Sequence, residues 1–150
     1  MSISFVLDSC MMGDAQSTPE FYASQMYRVH ASGAQDTLRM VDSVNVGDTI
    51  RLPIVLSGQL NSLKSFVAQA DDDAFKHWIT CDSALLEFLT SASKPDKSIL
   101  YFEPEKLVVA SANFWFIPLK SGGNAITFTL ANDANEQFSP RSFSFTPVVR

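Results

Sequence analysis

The sequence predicts an all-β chain folded as an antiparallel β-sandwich with one short helical crossover, and three observations predict it. Apolar and polar residues alternate at period two in short segments, most cleanly where Ile126, Phe128 and Leu130 interleave with Thr127 and Thr129. About eight such strands recur with polar turns between them, the spacing of a sandwich, and no βαβ rhythm interrupts them. The 150 residues include 12 Phe and are 46% hydrophobic, with few windows of helical period, which favours a β-rich domain around a single core.

At the N-terminus an apolar stretch runs into Leu7-Asp8-Ser9-Cys10, which resembles the lipobox at which a bacterial signal peptidase leaves cysteine as the acylated first residue. That resemblance makes residues 1–10 the remnant of a lipoprotein signal and Cys10 the lipidation site. The other reading is an N-terminal strand of Ile3, Phe5 and Leu7 with a free thiol at Cys10. Residues 11–35 are expected to hold a tether and a first strand: Gly13, Asp14, Ser17, Thr18 and Pro19 follow no period, while Met26 to Val29 reads as extended. Residues 36–150 are expected to form the sandwich.

Within it, Leu38 and Met40 alternate with Thr37 and Arg39, and Gly47-Asp48 turns the chain into a strand whose Ile50, Leu52, Ile54 and Leu56 share one face. Pro53 lies inside that run and has no N–H to donate, so it places the strand at an edge or marks a bulge. After the turn at Ser57-Gly58-Gln59, strands are expected over Leu63 to Gln69 and Phe75 to Cys81. Ala84, Leu85, Leu86, Phe88 and Leu89 repeat at three and four residues, which suits the helical crossover. Strands follow at Ser98 to Phe102 and at Leu107 to Ala110. From 114 to 117 every residue is large and apolar, as in a strand covered on both faces, and Pro118 ends it. Lys120-Ser121-Gly122-Gly123-Asn124 is turn chemistry. The strand of Ile126 to Leu130 then pairs with a closing strand containing Phe143 and Phe145 as an antiparallel hairpin.

The run Val44 to Leu52, Val-x-Val-Gly-Asp-Thr-Ile-x-Leu, together with Pro118 to Phe128, Pro-Leu-Lys-Ser-Gly-Gly-Asn-Ala-Ile-Thr-Phe, resembles strands of bacterial immunoglobulin-like modules. Such modules occur in Gram-negative surface lipoproteins and adhesins. The resemblance implies an immunoglobulin-like sandwich over roughly Asp36 to Val149, and it implies fold far more than function.

Charge excludes some partners. The net charge of −5 lacks the Lys/Arg surplus that phosphate binding needs, so nucleic acid is not an expected partner, and contact with a membrane is expected only through a lipid anchor. No cofactor or metal is expected. His77 and Cys81 stand four residues apart on a strand, too far for one ion, and His30 has no ligand-spaced neighbour. Asp71-Asp72-Asp73 and the Asn132 to Glu136 segment read as solvated turns, since neither matches a helix-loop-helix calcium loop. Cys81 reads as a small core residue, and a Cys10–Cys81 disulfide would require Cys10 to be unacylated.

No nucleophile elbow, phosphate-cradling loop or Cys-His signature is present, and no enzyme is expected. Among Trp78, Trp115, Tyr101 and Phe102, the candidate ligand-binding residue is Trp78, which alternates with Lys76 and Thr80 on an outer face; Trp115 is expected in the core. The expected function is a non-catalytic lipoprotein module of the cell envelope with a structural or binding role. The alternatives are a carbohydrate-binding surface protein and a soluble, cytoplasmic protein–protein interaction subunit, so the partner is an unassigned protein or glycan.

Overall fold

The structure is a computed structural model and describes residues 15–150. The proposed lipidation site Cys10 therefore lies outside the described residues.

Alternating burial is cleanest in the long strands Thr49–Ser57, Val109–Pro118 and Ile126–Asn132. The first sheet contains β1 (Glu20–Tyr22), β2 (Gln25–Val29), β3 (Gln35–Arg39), β5 (Thr49–Ser57), β7 (Phe75–Thr80) and β9 (Val109–Pro118), in the order β3-β2-β5-β9-β7 with β1 also on β5. The second contains β6 (Leu63–Gln69), β8 (Ile99–Tyr101), β10 (Ile126–Asn132) and β11 (Arg141–Phe145), in the order β11-β10-β6-β8. All pairings within both sheets are antiparallel.

The inner faces meet through aromatic rings. Phe114 of β9 stands edge-on to Phe128 of β10 at 5.0 Å, and Phe128 stacks on Phe66 of β6 at 5.8 Å. Phe21 of β1 lies 4.8 Å from Phe128. The segment read from sequence as tether and first strand thus contributes β1 and β2 to the first sheet, and Met26 is fully buried. Ahead of them, Ser17 is pinned to the β5–β6 turn: its N–H donates to Asn61 Oδ1 and its hydroxyl to the Gly58 carbonyl, both at 2.9 Å. Buried Asn132 closes that knot by donating from Nδ2 to the carbonyls of Ser17 and Gly58, at 2.8 and 3.0 Å. These bonds matter because a buried carbonyl without a donor is costly.

The strand holding Pro53 is interior, not an edge. Pro53 is instead opposite the break between β1 and β2, where β5 needs no donor. Between the pairs Tyr22–Val55 and Tyr27–Arg51 the first chain has one residue more than β5, a bulge that absorbs the proline. Gly47 takes φ +90° in the turn before β5, and its N–H donates to the Pro118 carbonyl at 2.9 Å.

The crossover from β7 to β8 carries α1 (Ser83–Leu86), capped by Asp82 accepting from the Leu85 N–H at 2.7 Å, and a 3-10 turn at Pro95–Lys97. Two strands expected as separate, at Leu107 to Ala110 and from Asn113, are one, β9, because Ser111 and Asn113 fall on its outward parity. Beyond Pro147 the chain adds β12 (Val148–Val149), which pairs in parallel with β4 (Ser43–Val44).

Candidate functional site

The outer face of the first sheet carries an aromatic and cationic row. Registry fixes it: Tyr27 of β2 is opposite Arg51 of β5, Arg51 is opposite Trp115 of β9, and Trp115 is opposite Trp78 of β7. Their strand neighbours Met26, Ile50, Leu52, Phe114, Phe116 and Ile79 are buried, so the row points away from the core. Trp78, Trp115, Arg51 and Tyr27 are each half-buried.

The two indoles run parallel within 4°, with centroids 5.9 Å apart, and Trp115 Nε1–H donates to Thr80 Oγ1 at 2.8 Å. That bond holds the Trp115 ring from a neighbouring side chain on the same outer face. Arg51 lies over the Tyr27 ring at 4.5 Å and donates to Asn113 Oδ1 at 3.0 Å and Gln35 Oε1 at 2.8 Å. Both acceptors are neutral amides. Among the described residues Arg51 forms no ion pair, whereas Arg28 is matched with Asp36 and Asp48, and Arg39 with Asp42. The geometry presents flat π surface next to a held guanidinium, a combination suited to stacking and hydrogen bonding at once. A shallow cleft of about 380 Å³ beside Pro53, lined in part by Tyr22, Ala23, Ser24 and Val55, borders the same face.

Trp78 was expected on an outer face; Tyr27, Arg51 and Trp115 were not expected beside it. Trp115 was expected in the core and is instead half-buried on the outside, because parity runs unbroken from Ala110 and Ala112 through Phe114 and Phe116. Reading those two alanines as inward residues is the signal that would have found it. No local signal links Tyr27 and Arg51 to the tryptophans, since the link is cross-strand register. Tyr101 and Phe102 are elsewhere: Tyr101 is exposed on β8 in the other sheet, and Phe102 is buried.

The remaining candidates have structural engagements. His77 Nδ1 is 2.7 Å from Ser98 Oγ, and its ring lies 5.8 Å from that of Phe114. Burial lowers the His77 pKa, against an opposing pull from Asp72. Ser98 has φ +61° and is fully buried, so this contact fastens the 3-10 turn to β7 and offers solvent no nucleophile. Cys81 is half-buried against the core, and burial raises its thiol pKa, which lowers its thiolate fraction. Asp73 pairs with Lys120 at 3.0 Å, and the Asn132 amide is turned inward. Among the described residues no three His, Cys, Asp or Glu side chains gather as metal ligands, and no helix is long and apolar enough to cross a membrane.

No family model and no curated protein matches the chain. Among solved structures, it is similar to a DUF4466 family protein from Parabacteroides merdae, at 12% identity and a TM-score of 0.48, the match covering 89% of this chain and 44% of that one. The chain spans less than half the length of that protein.

Proposed function

We propose that the chain is a non-catalytic, immunoglobulin-like binding module of the cell envelope, and that its ligand is a glycan held on the outer face of the first sheet. The observation that carries this reading is the row Tyr27, Arg51, Trp115 and Trp78, four large side chains on adjacent strands whose exposure serves no core contact. Apolar faces of pyranose rings stack on aromatic rings, and hydroxyls need amide and guanidinium partners of the kind Asn113, Gln35 and Arg51 supply.

The immunoglobulin-like part rests on strand order. The sequence β2-β5-β9-β7 facing β11-β10-β6 has the order of strands A-B-E-D facing G-F-C in the constant-type immunoglobulin sandwich, with β8 added beside β6. Envelope display rests on the lipobox-like Leu7 to Cys10. Its test is the intact mass of protein made in the native host from its own upstream sequence: a species beginning at Cys10 and heavier by a lipid anchor supports it, and an unmodified species retaining Met1 removes it.

The glycan reading is tested by titrating intrinsic tryptophan fluorescence with an oligosaccharide panel. A saturable change that is lost in both Trp78→Ala and Trp115→Ala, with both variants still folded by circular dichroism, is the expected result. A response that survives both substitutions places the ligand away from this face and overturns the reading.

A further inference from the structure

Resting on the glycan reading, we infer that the ligand is an acidic saccharide, its carboxylate bound by Arg51 while an adjoining ring stacks against the Trp78–Trp115 pair. Three observations meet here. First, the Arg51 guanidinium is fixed before any ligand arrives, by Asn113 and Gln35 on its nitrogens and by the Tyr27 ring beneath it. Neutral amides orient it without neutralising it, and the N–H donors they leave over have no acceptor among the described residues. An oriented guanidinium loses little freedom when it takes a planar carboxylate in a charge-assisted pair.

Second, charge on this face is segregated. The outward positions of the six strands carry Arg39, Arg51 and Lys76 and a single carboxylate, Glu20 at the far end of β5 opposite Ser57 and hydrogen-bonded by Tyr22, although the chain as a whole has a net charge of −5. Arg39 is occupied by Asp42, which leaves Arg51 and Lys76 to set the potential around the tryptophans. An acidic protein whose strands around the two tryptophans carry outward cations and no outward acid is complementary to an anion there.

Third, the cations flank the rings. Lys76 precedes Trp78 by two residues on the same side of β7, and Arg51 is beside Trp115 in the next strand. Arg51 and Trp78 are two strand spacings apart, about 10 Å, which gives room for more than one pyranose ring. The arrangement therefore fits an extended chain carrying repeated carboxylates, such as a polyuronate, better than a single charged terminal sugar.

The experiment uses two probes of one shape: short oligogalacturonates and the same oligomers with every carboxyl methyl-esterified. Binding to the folded chain is measured by calorimetry at low and at high salt, and repeated with Arg51→Gln and Lys76→Gln. The acid form is expected to bind about tenfold or more tighter than the ester, to weaken as salt rises, and to lose about tenfold with Arg51→Gln, a larger loss than the ester shows with the same change. Equal binding of acid and ester, or indifference of the acid to Arg51→Gln, overturns the carboxylate assignment and leaves the glycan reading standing. Binding of neither form, nor of sialylated or neutral oligosaccharides added to the panel, contradicts the glycan reading itself.

Discussion

Phe114 and Trp115 are neighbours in sequence and opposites in fate. Phe114 is fully buried against Phe128, whereas Trp115 lies outside against Trp78. Phe114→Ala opens a core cavity and is expected to cost about 3–5 kcal/mol, against about 1 kcal/mol for Trp115→Ala, a surface aromatic pair. Urea denaturation of the two variants measures the difference, and equal losses would return Trp115 to a core role. His77 supplies a pH dependence. Burial lowers its pKa in the folded chain, while the unfolded chain takes up the proton near about pH 6.5. The unfolded state therefore binds more protons as acidity rises, so stability is complete above that pH and declines as pH falls through it. Urea midpoints from pH 8 to 5.5 are expected to show a decline that is shallower in His77→Gln.

At the scale of elements, the β5–β6 turn bears the most connections in the least space. Gly58 donates to the Val108 carbonyl at 2.7 Å and accepts from Ser17 and Asn132, and a Cβ placed on it would meet the Asn61 carbonyl oxygen at 2.0 Å. Gly58→Ala must therefore move backbone, and a loss of about 1–3 kcal/mol is expected from thermal unfolding; an unchanged melting temperature would mean that the turn yields freely. Such knots were not legible in the sequence, because Ser17, Gly58 and Asn132 meet only through the tertiary fold. What was legible is what is local. The inward faces of β5 and β10 followed from period two alone, and the β10–β11 hairpin from the succession of two alternating strands along the chain. Pro53 was legible as a constraint and ambiguous as a placement: of edge and bulge, the bulge is what the structure contains. The split of β9 in two was misread because Ser111 and Asn113 are polar, and polar residues on an outward parity look like a turn when the partner strands are unknown. The parallel β4–β12 pair had no local signature at all.

For the molecule as a whole, the two sheets divide the labour. The inner faces gather Phe66, Phe114, Phe116 and Phe128 into a continuous core, and this frees the outer face of the first sheet from any packing duty. A rigid sheet is a precise support for side chains that must hold a fixed spacing, and the row Tyr27, Arg51, Trp115 and Trp78 is set by backbone pairing and not by a loop. We propose this row as the binding surface. Its most direct test is an amide and indole NMR titration of the folded chain with the oligogalacturonates. Saturable shifts of the Trp78 and Trp115 indole N–H signals and of the Arg51 side-chain N–H are expected, with amides of β6, β8, β10 and β11 unmoved. Shifts gathered on the second sheet, or in the loops with the indoles silent, would contradict it.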